Sequence, residues 1–411
     1  MVAYHFPPLA GSSGIQRTLR FAQNLPEYGW NPLVLSATPR AYERTGSDLN
    51  AEVRDNLVVR RAHAFDTARH FSFRGRYPGF LARPDRWMTW QFDGLRVGLQ
   101  MVREYKPDVL WTTYPIATAH LIGARLSART GLPWVADFRD PMVQDDYPED
   151  PKVRASFEKI ERAVLLRADR CVFATQAAAR EYAERYPACA GRIQVLENGY
   201  DEESFAGAER SAMGLGPLSA GRTTLLHSGI VYPSERDPTQ LMAALARLKK
   251  TGMIATSTLR VRFRAAVHEA LLRELAEKYG VSDLIEVEPP IDYGKALVEM
   301  MRADALLVLQ AANCNMQVPA KVYEYLRARR PLLVLSDPEG ETVRVLQAAG
   351  VMRHARLDGE EEIAGLLASF LADPLRNNAF LPDECAIRGA SREARTRELA
   401  SVLDRVARGA A

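Results

Sequence analysis

The strongest constraint on this chain is the rhythm of its apolar residues. Short apolar runs alternate with stretches of helical spacing, and the whole pattern occurs twice. In the first half the runs are residues 2–4, 32–36, 57–60, 108–112, 133–137, 171–174 and 193–196. Helical spacing fills 15–26, 87–104, 116–129, 151–167 and 176–186. Such alternation specifies parallel strands joined by helices that cover both faces of a sheet. A polar, glycine-bearing stretch beginning "GYDEESFAGAERSAMGLG" then predicts a linker over 199–222. Beyond it the alternation restarts, with strands expected at 225–229, 259–263, 284–288, 305–310 and 331–336. Helices are expected at 238–250, 266–279, 292–302, 319–329, 340–349 and 359–371. A length of 411 residues suits two such domains.

Two regions break the rhythm. The final segment, "REARTRELASVLDRVARG", places Leu399, Val402, Leu403 and Val406 at helical spacing with no strand after it. This helix must pack on something already built. Residues 60–92 are basic and aromatic with little periodicity, and a loop of that length is often functional.

Composition excludes several classes. A net charge of +3 argues against a generally basic surface for nucleic acid. Cys171, Cys189, Cys314 and Cys385 form no CxxC pair, so no zinc site is readable, and so sparse a set suits a reducing cytoplasm. No apolar run approaches the ~18 residues that span a bilayer, and no signal peptide precedes the first strand.

Five stretches can carry chemistry. In "YHFPPLAGSSGIQRTLR", Gly11, Ser12, Ser13 and Gly14 lie between strand and helix, where backbone can approach a ligand and helix N–H groups can meet an anion. Arg17 near that terminus opposes the helix dipole unless an anion is present; the alternative is a solvated arginine beside a turn. In "PWVADFRDPM", Asp137 and Arg139 share one side of a strand by alternation, with Asp140 following, as a site or as a structural ion pair. In "LLHSGIVYPSERDP", Gly229 and Arg236 repeat the logic of the opening loop, unless Arg236 merely pairs with Glu235 or Asp237. In "VPAKVYEYLRARRPLL", Pro319 suits a first helical turn, and Lys321 and Glu324 share a face, as ligand groups or as a surface pair. "VLENGYDEESF" turns at Asn198-Gly199, where a structural role is expected.

Taken in this order, the stretches resemble glycosyltransferase family 4, whose members have the GT-B fold. The resemblance covers nearly the whole chain. It implies two Rossmann-like doubly wound domains facing an interdomain cleft: an acceptor-binding domain over 1–200, a nucleotide-sugar-binding domain over 201–390, and a helix over 391–411 crossing back to the first. It implies a retaining transferase that moves a sugar from a UDP-, GDP- or dTDP-sugar to a glycan or lipid-linked acceptor, in cell-surface polysaccharide synthesis. No cofactor and no metal are expected. Donor contacts would come from Gly229, Arg236, Pro319, Ala320, Lys321 and Glu324, with Glu324 on the ribose. Gly11, Ser12, Ser13, Gly14 and Arg17 would form an acceptor or phosphate loop, and Asp137, Arg139 and Asp140 would position sugar and acceptor. The family often carries an earlier glutamate where Met316 stands here. A cytoplasmic protein at the inner face of the plasma membrane is expected, with Arg60, Arg61, Arg74, Arg76, Trp87 and Trp90 meeting anionic lipid. The rival readings are a nucleotide-sugar 2-epimerase, a catalytically silent scaffold, and a dinucleotide oxidoreductase. The missing GxGxxG argues against the last.

Overall fold

The computed structural model describes residues 1–11, 14–46, 48–144, 147–372 and 378–409. It divides into two compact units, Met1–Asn198 with the C-terminal segment from Arg392, and Gly199–Ser391.

In the first unit the strands are β1 (Leu33–Ala37), β2 (Val58–Ala62), β3 (Leu110–Thr113), β4 (Trp134–Arg139), β5 (Arg170–Phe173) and β6 (Ile193–Val195). β1 pairs with β2, and β3 to β6 pair in sequence order, all parallel. The strand expected at 2–4 is reduced to a bridge. Val2 pairs with Leu35 on one side and Thr112 on the other, and so stitches the two groups of strands together. Counting that segment as first, the order is the doubly wound one, in which ligands lie off the carboxyl ends of the strands. The helix Pro151–Arg167 starts where expected because Asp150 caps the N–H groups of Lys152 and Val153, and Pro151 takes the first turn.

The second unit holds one parallel sheet in the order β12-β11-β10-β7-β8-β9. Its strands are β7 (Thr223–Ser228), β8 (Leu259–Arg264), β9 (Ile285–Glu288), β10 (Ala305–Gln310), β11 (Leu332–Ser336) and β12 (His354–Ala355). Every residue of β10 and β11 is buried, as strands covered by helices on both faces require.

The linker expected over 199–222 is a correction. Asp201 caps a helix, Glu202–Ala212, whose Phe205 and Ala208 join the apolar core of the second unit. Arg327 grips it through Glu202 at 2.7 Å and Glu209 at 2.7 Å. Two apolar residues among acidic ones are too few for the periodicity to stand out in the sequence. The last helix, Arg392–Gly409, packs within the first unit: Leu399, Val402, Leu403 and Val406 meet Phe21, Leu25, Trp111 and Val135.

Residues 60–92 are also more ordered than a single loop. β2 runs to Ala62, Thr67–His70 is a short helix capped by Asp66, and Gly79–Ala82 is a 3-10 turn. Trp90 is fully buried and Trp87 packs against Tyr4 with ring centres 4.8 Å apart. Arg61 donates to Ala37 O and Tyr42 Oη, and Arg60 pairs with Glu104 at 3.0 Å. Trp90 is therefore interior, Trp87 and Arg61 are half-buried, and Arg60 is exposed. Among the described residues, no helix is long and apolar enough to cross a membrane.

Candidate functional site

Each unit gathers polar side chains at the carboxyl ends of its strands. In the first, the helix Gly14–Asn24 begins against them. A Cβ on Gly14 would fall 2.6 Å from His5 Nδ1 and 2.7 Å from Arg139 Nη1, so a larger residue would make those side chains move. Gly11 has φ +82°, and Ser12 and Ser13 lie outside the described residues.

Arg17 does not wait for an anion. It is 3% exposed, and its guanidinium donates to both carboxylate oxygens of Asp137 at 2.9 Å. It donates further to Leu196 O, Glu197 O and Asn198 Oδ1. Thr113 Oγ1 completes the cage around Asp137 at 3.0 Å. The dipole argument therefore found its anion, but the anion is a buried carboxylate of the same chain. This corrects the expectations for Arg17 and Asp137: their polar atoms are engaged internally, and they brace the end of β4 against the helix. The alternation linking Asp137 to Arg139 also fails. The β4–β5 register shifts between them, and Arg139 takes φ +63°.

Arg139, Asp140 and His5 remain as the candidate group of this unit. Burial pushes the Asp140 carboxyl above its ordinary range, although Arg139 and Arg17 pull the other way. Burial, helped by Arg139, lowers His5 to about 4, so its imidazole is neutral at pH 7. The carboxyl, with its raised proton affinity, is the better placed to accept a proton from a hydroxyl, and the neutral imidazole is the weaker base of the two. His5 was missed in the sequence because a lone histidine in "YHFPP" has no spacing partner.

In the second unit, β7 ends at Ser228, and Gly229 follows with φ +148°. A Cβ there would lie 4.0 Å from Lys321 Cε, so the loop and the lysine converge. Pro319 stands at the cap position of the helix Ala320–Arg327, one residue before the first turn expected for it. Tyr325 Oη accepts from Ser228 N at 2.8 Å and pins that helix to the end of β7. Burial lowers His227 to about 4, and the nearby Arg236 and Lys321 cations push the same way.

Two cations at this end of the sheet are held more loosely than Arg17. Arg236 donates to Ile230 O at 2.7 Å and stacks on Tyr232, and it forms no ion pair with Glu235 or Asp237. Lys321 Nζ meets Glu324 Oε2 at 3.0 Å, with the lysine side chain 37% exposed. Glu324 Oε1 accepts from Tyr293 Oη at 2.9 Å, while Oε2 accepts no hydrogen bond among the described residues. Tyr293 is a further missed residue. It lies thirty-one positions away, after β9, and only the fold brings it to Glu324.

Residues 13–199 match the glycosyl transferase 4-like domain. A curated relative, the D-inositol 3-phosphate glycosyltransferase of Nocardiopsis dassonvillei, is 29% identical over 204 residues, 46% of this chain and 46% of its own. The chain thus spans about half the length of the curated relative it matches. Among solved structures, a glycosyltransferase from Rickettsia africae is similar with a TM-score of 0.69 and 13% identity, over 98% of each chain. Anabaena Alr3699/HepE, solved in complex with UDP, gives 0.67 and 13%, also over 98% of each chain. The fold is that of GT-B glycosyltransferases, two α/β domains built on parallel sheets. Residues 13–199 are thus similar in sequence to the glycosyl transferase 4-like domain, and the chain is similar in fold to GT-B structures.

Proposed function

We propose that this chain transfers a sugar from a nucleotide-sugar to a hydroxyl acceptor, with the donor held by the second unit. The observation that carries the reading is the convergence of Gly229, Arg236, Lys321 and Glu324 at one end of one sheet. As the bond between the anomeric carbon and the diphosphate breaks, negative charge grows on the leaving oxygen. Lys321 and Arg236 stabilise that charge, assisted by N–H groups at Ala320 and Lys321, and such prearranged groups act most strongly on charge that develops in the transition state. Glu324 takes the ribose hydroxyls, and Tyr293 orients it.

In the first unit, His5 and Asp140 are the groups to accept the acceptor proton, with Arg139 positioning acceptor or sugar. Attack from the face the diphosphate leaves would retain the anomeric configuration. Side-chain cations here take the part that a metal plays in other diphosphate sites, so activity is expected to survive chelation. UDP is the first nucleotide to test, because a neighbour of this fold was solved with it. A lipid-linked or glycan acceptor, a setting in surface polysaccharide synthesis, and membrane contact within 60–92 complete the reading.

A thermal-shift screen with UDP, GDP, dTDP and their sugars tests it, since a ligand that binds the native state raises Tm. One nucleotide should stabilise the protein, and Lys321→Ala and Arg236→Ala should each abolish the shift. Wild-type shifts persisting in both variants would sink the site. Incubating the stabilising nucleotide-sugar without acceptor separates transfer from epimerisation, which alone would yield an isomerised donor.

A further inference from the structure

Ten consecutive residues, Phe71 to Phe80, are all exposed, and four of them are aromatic: Phe71, Phe73, Tyr77 and Phe80. Phe73 is 75% and Phe80 64% exposed. Large apolar side chains are usually left in water singly, so such a cluster marks a surface meant to be covered.

The segment is built, and it is anchored. Phe73 and Arg76 exchange both backbone hydrogen bonds, N to O at 2.8 and 3.1 Å. Between them Arg74 has φ +51° and Gly75 φ +77°. Two positive φ values in a row are what a tight type I′ hairpin turn needs, and glycine supplies the second without strain. At the base, Thr67 N donates to Arg86 O at 2.9 Å and Thr67 Oγ1 to Leu81 O at 2.6 Å. The fully buried Asp66 receives Arg86 Nε at 3.1 Å. The loop is therefore closed at a buried neck and carries its aromatics outward.

Charge chooses the occupant. Arg74 and Arg76 at the tip are exposed and form no ion pair among the described residues, and Arg74 lies over the Phe73 ring at 5.5 Å. No carboxylate occurs between Phe71 and Phe80. Exposed aromatics interleaved with unpaired arginines match the boundary of an anionic bilayer, where rings enter the headgroup zone and cations meet phosphate and carboxylate.

We propose that the hairpin loop Phe71–Phe80 docks this protein on anionic lipid surfaces by inserting Phe73 and Phe80 between headgroups that pair with Arg74 and Arg76. This narrows the membrane contact of the proposed function to one loop and uses none of the donor-site residues. A failed vesicle experiment would leave the nucleotide-sugar reading standing, and the reverse.

The test is co-sedimentation of the full chain with phosphatidylcholine vesicles, with and without phosphatidylserine. Binding is expected to the anionic vesicles and to weaken with salt. Arg74→Ser with Arg76→Ser should weaken it on the order of fivefold per arginine, about 1 kcal/mol each. Phe73→Ser with Phe80→Ser should weaken it by roughly tenfold or more. All four side chains are exposed, so circular dichroism and Tm should be unchanged. No binding to anionic vesicles, or unchanged binding by the phenylalanine variant, overturns the proposal. So does a wild-type dimer in sedimentation velocity that this variant abolishes, which would make the occupant a second copy of the chain.

Discussion

The two units place arginine and lysine at the carboxyl ends of similar sheets and use them in opposite ways. In the first, Arg17 is buried and all its acceptors lie within its own unit. In the second, Lys321 keeps over a third of its side chain in water and Arg236 has one carbonyl partner. A cation whose donors are saturated by its own chain holds the fold, and one with donors to spare can hold a ligand. A basic residue in the first turn of a helix, Arg17 in one unit and Lys321 in the other, leads to both.

The largest expected effect comes from breaking the saturated pair. Arg17→Ala removes the ion pair of the buried Asp137 and leaves it Thr113, and should cost about 3–5 kcal/mol of stability, read as a lower denaturation midpoint. A loss under about 1 kcal/mol would mean Arg17 is not scaffold, and the contrast with Lys321 would dissolve. Next comes Lys321→Ala, which should lower kcat by about 10²–10³ with the unfolding midpoint almost unmoved. A large drop in Tm there would turn the lysine into a second structural cation.

His227 sharpens the comparison through pH. The unfolded chain takes up its proton near 6.5 and the folded chain only near 4. Between those values the unfolded state binds more protons, so this contribution to stability is full above pH 6.5 and is lost as pH falls toward 4. His227→Gln should reduce the slope of that part of the stability curve, with His5 and His120, lowered in the same way, supplying the rest. Stability of the variant that falls as steeply as the wild type between pH 6.5 and 4 would remove His227 from the account. The smallest effect is expected from Tyr293→Phe, which deletes one hydrogen bond to Glu324. A rise in donor KM of roughly fivefold, about 1 kcal/mol, is the expectation, with kcat held. A loss confined to kcat would place Tyr293 in the chemistry rather than in binding.

Much of this architecture was legible because buried parallel strands read as unbroken apolar runs. "ALLVLQ" is β10 to the residue. β12 escaped because two residues, His354 and Ala355, leave no pattern. The helix Glu202–Ala212 escaped because its apolar face is small and its acidic face answers an arginine more than a hundred residues away. At the site, Lys321 and Glu324 stand three apart on one helix and could be paired on paper. Arg17 with Asp137, and Tyr293 with Glu324, could not, because chain separation hides a contact that only the fold creates. The 60–92 region divided for a similar reason: composition placed tryptophans and arginines together, but burial set Trp90 inside and left the Phe73 hairpin outside.

The last helix has a consequence for how the molecule is made. Its Leu399, Val402, Leu403 and Val406 fill a pocket in a unit whose other residues end at Asn198. During synthesis that apolar patch stays open while nearly two hundred further residues are polymerised, whereas Gly199–Ser391 emerges without interruption. The half made first is therefore the half finished last, and a ribosome stalled before Leu399 would release a nascent chain with one mature lobe and one sticky one.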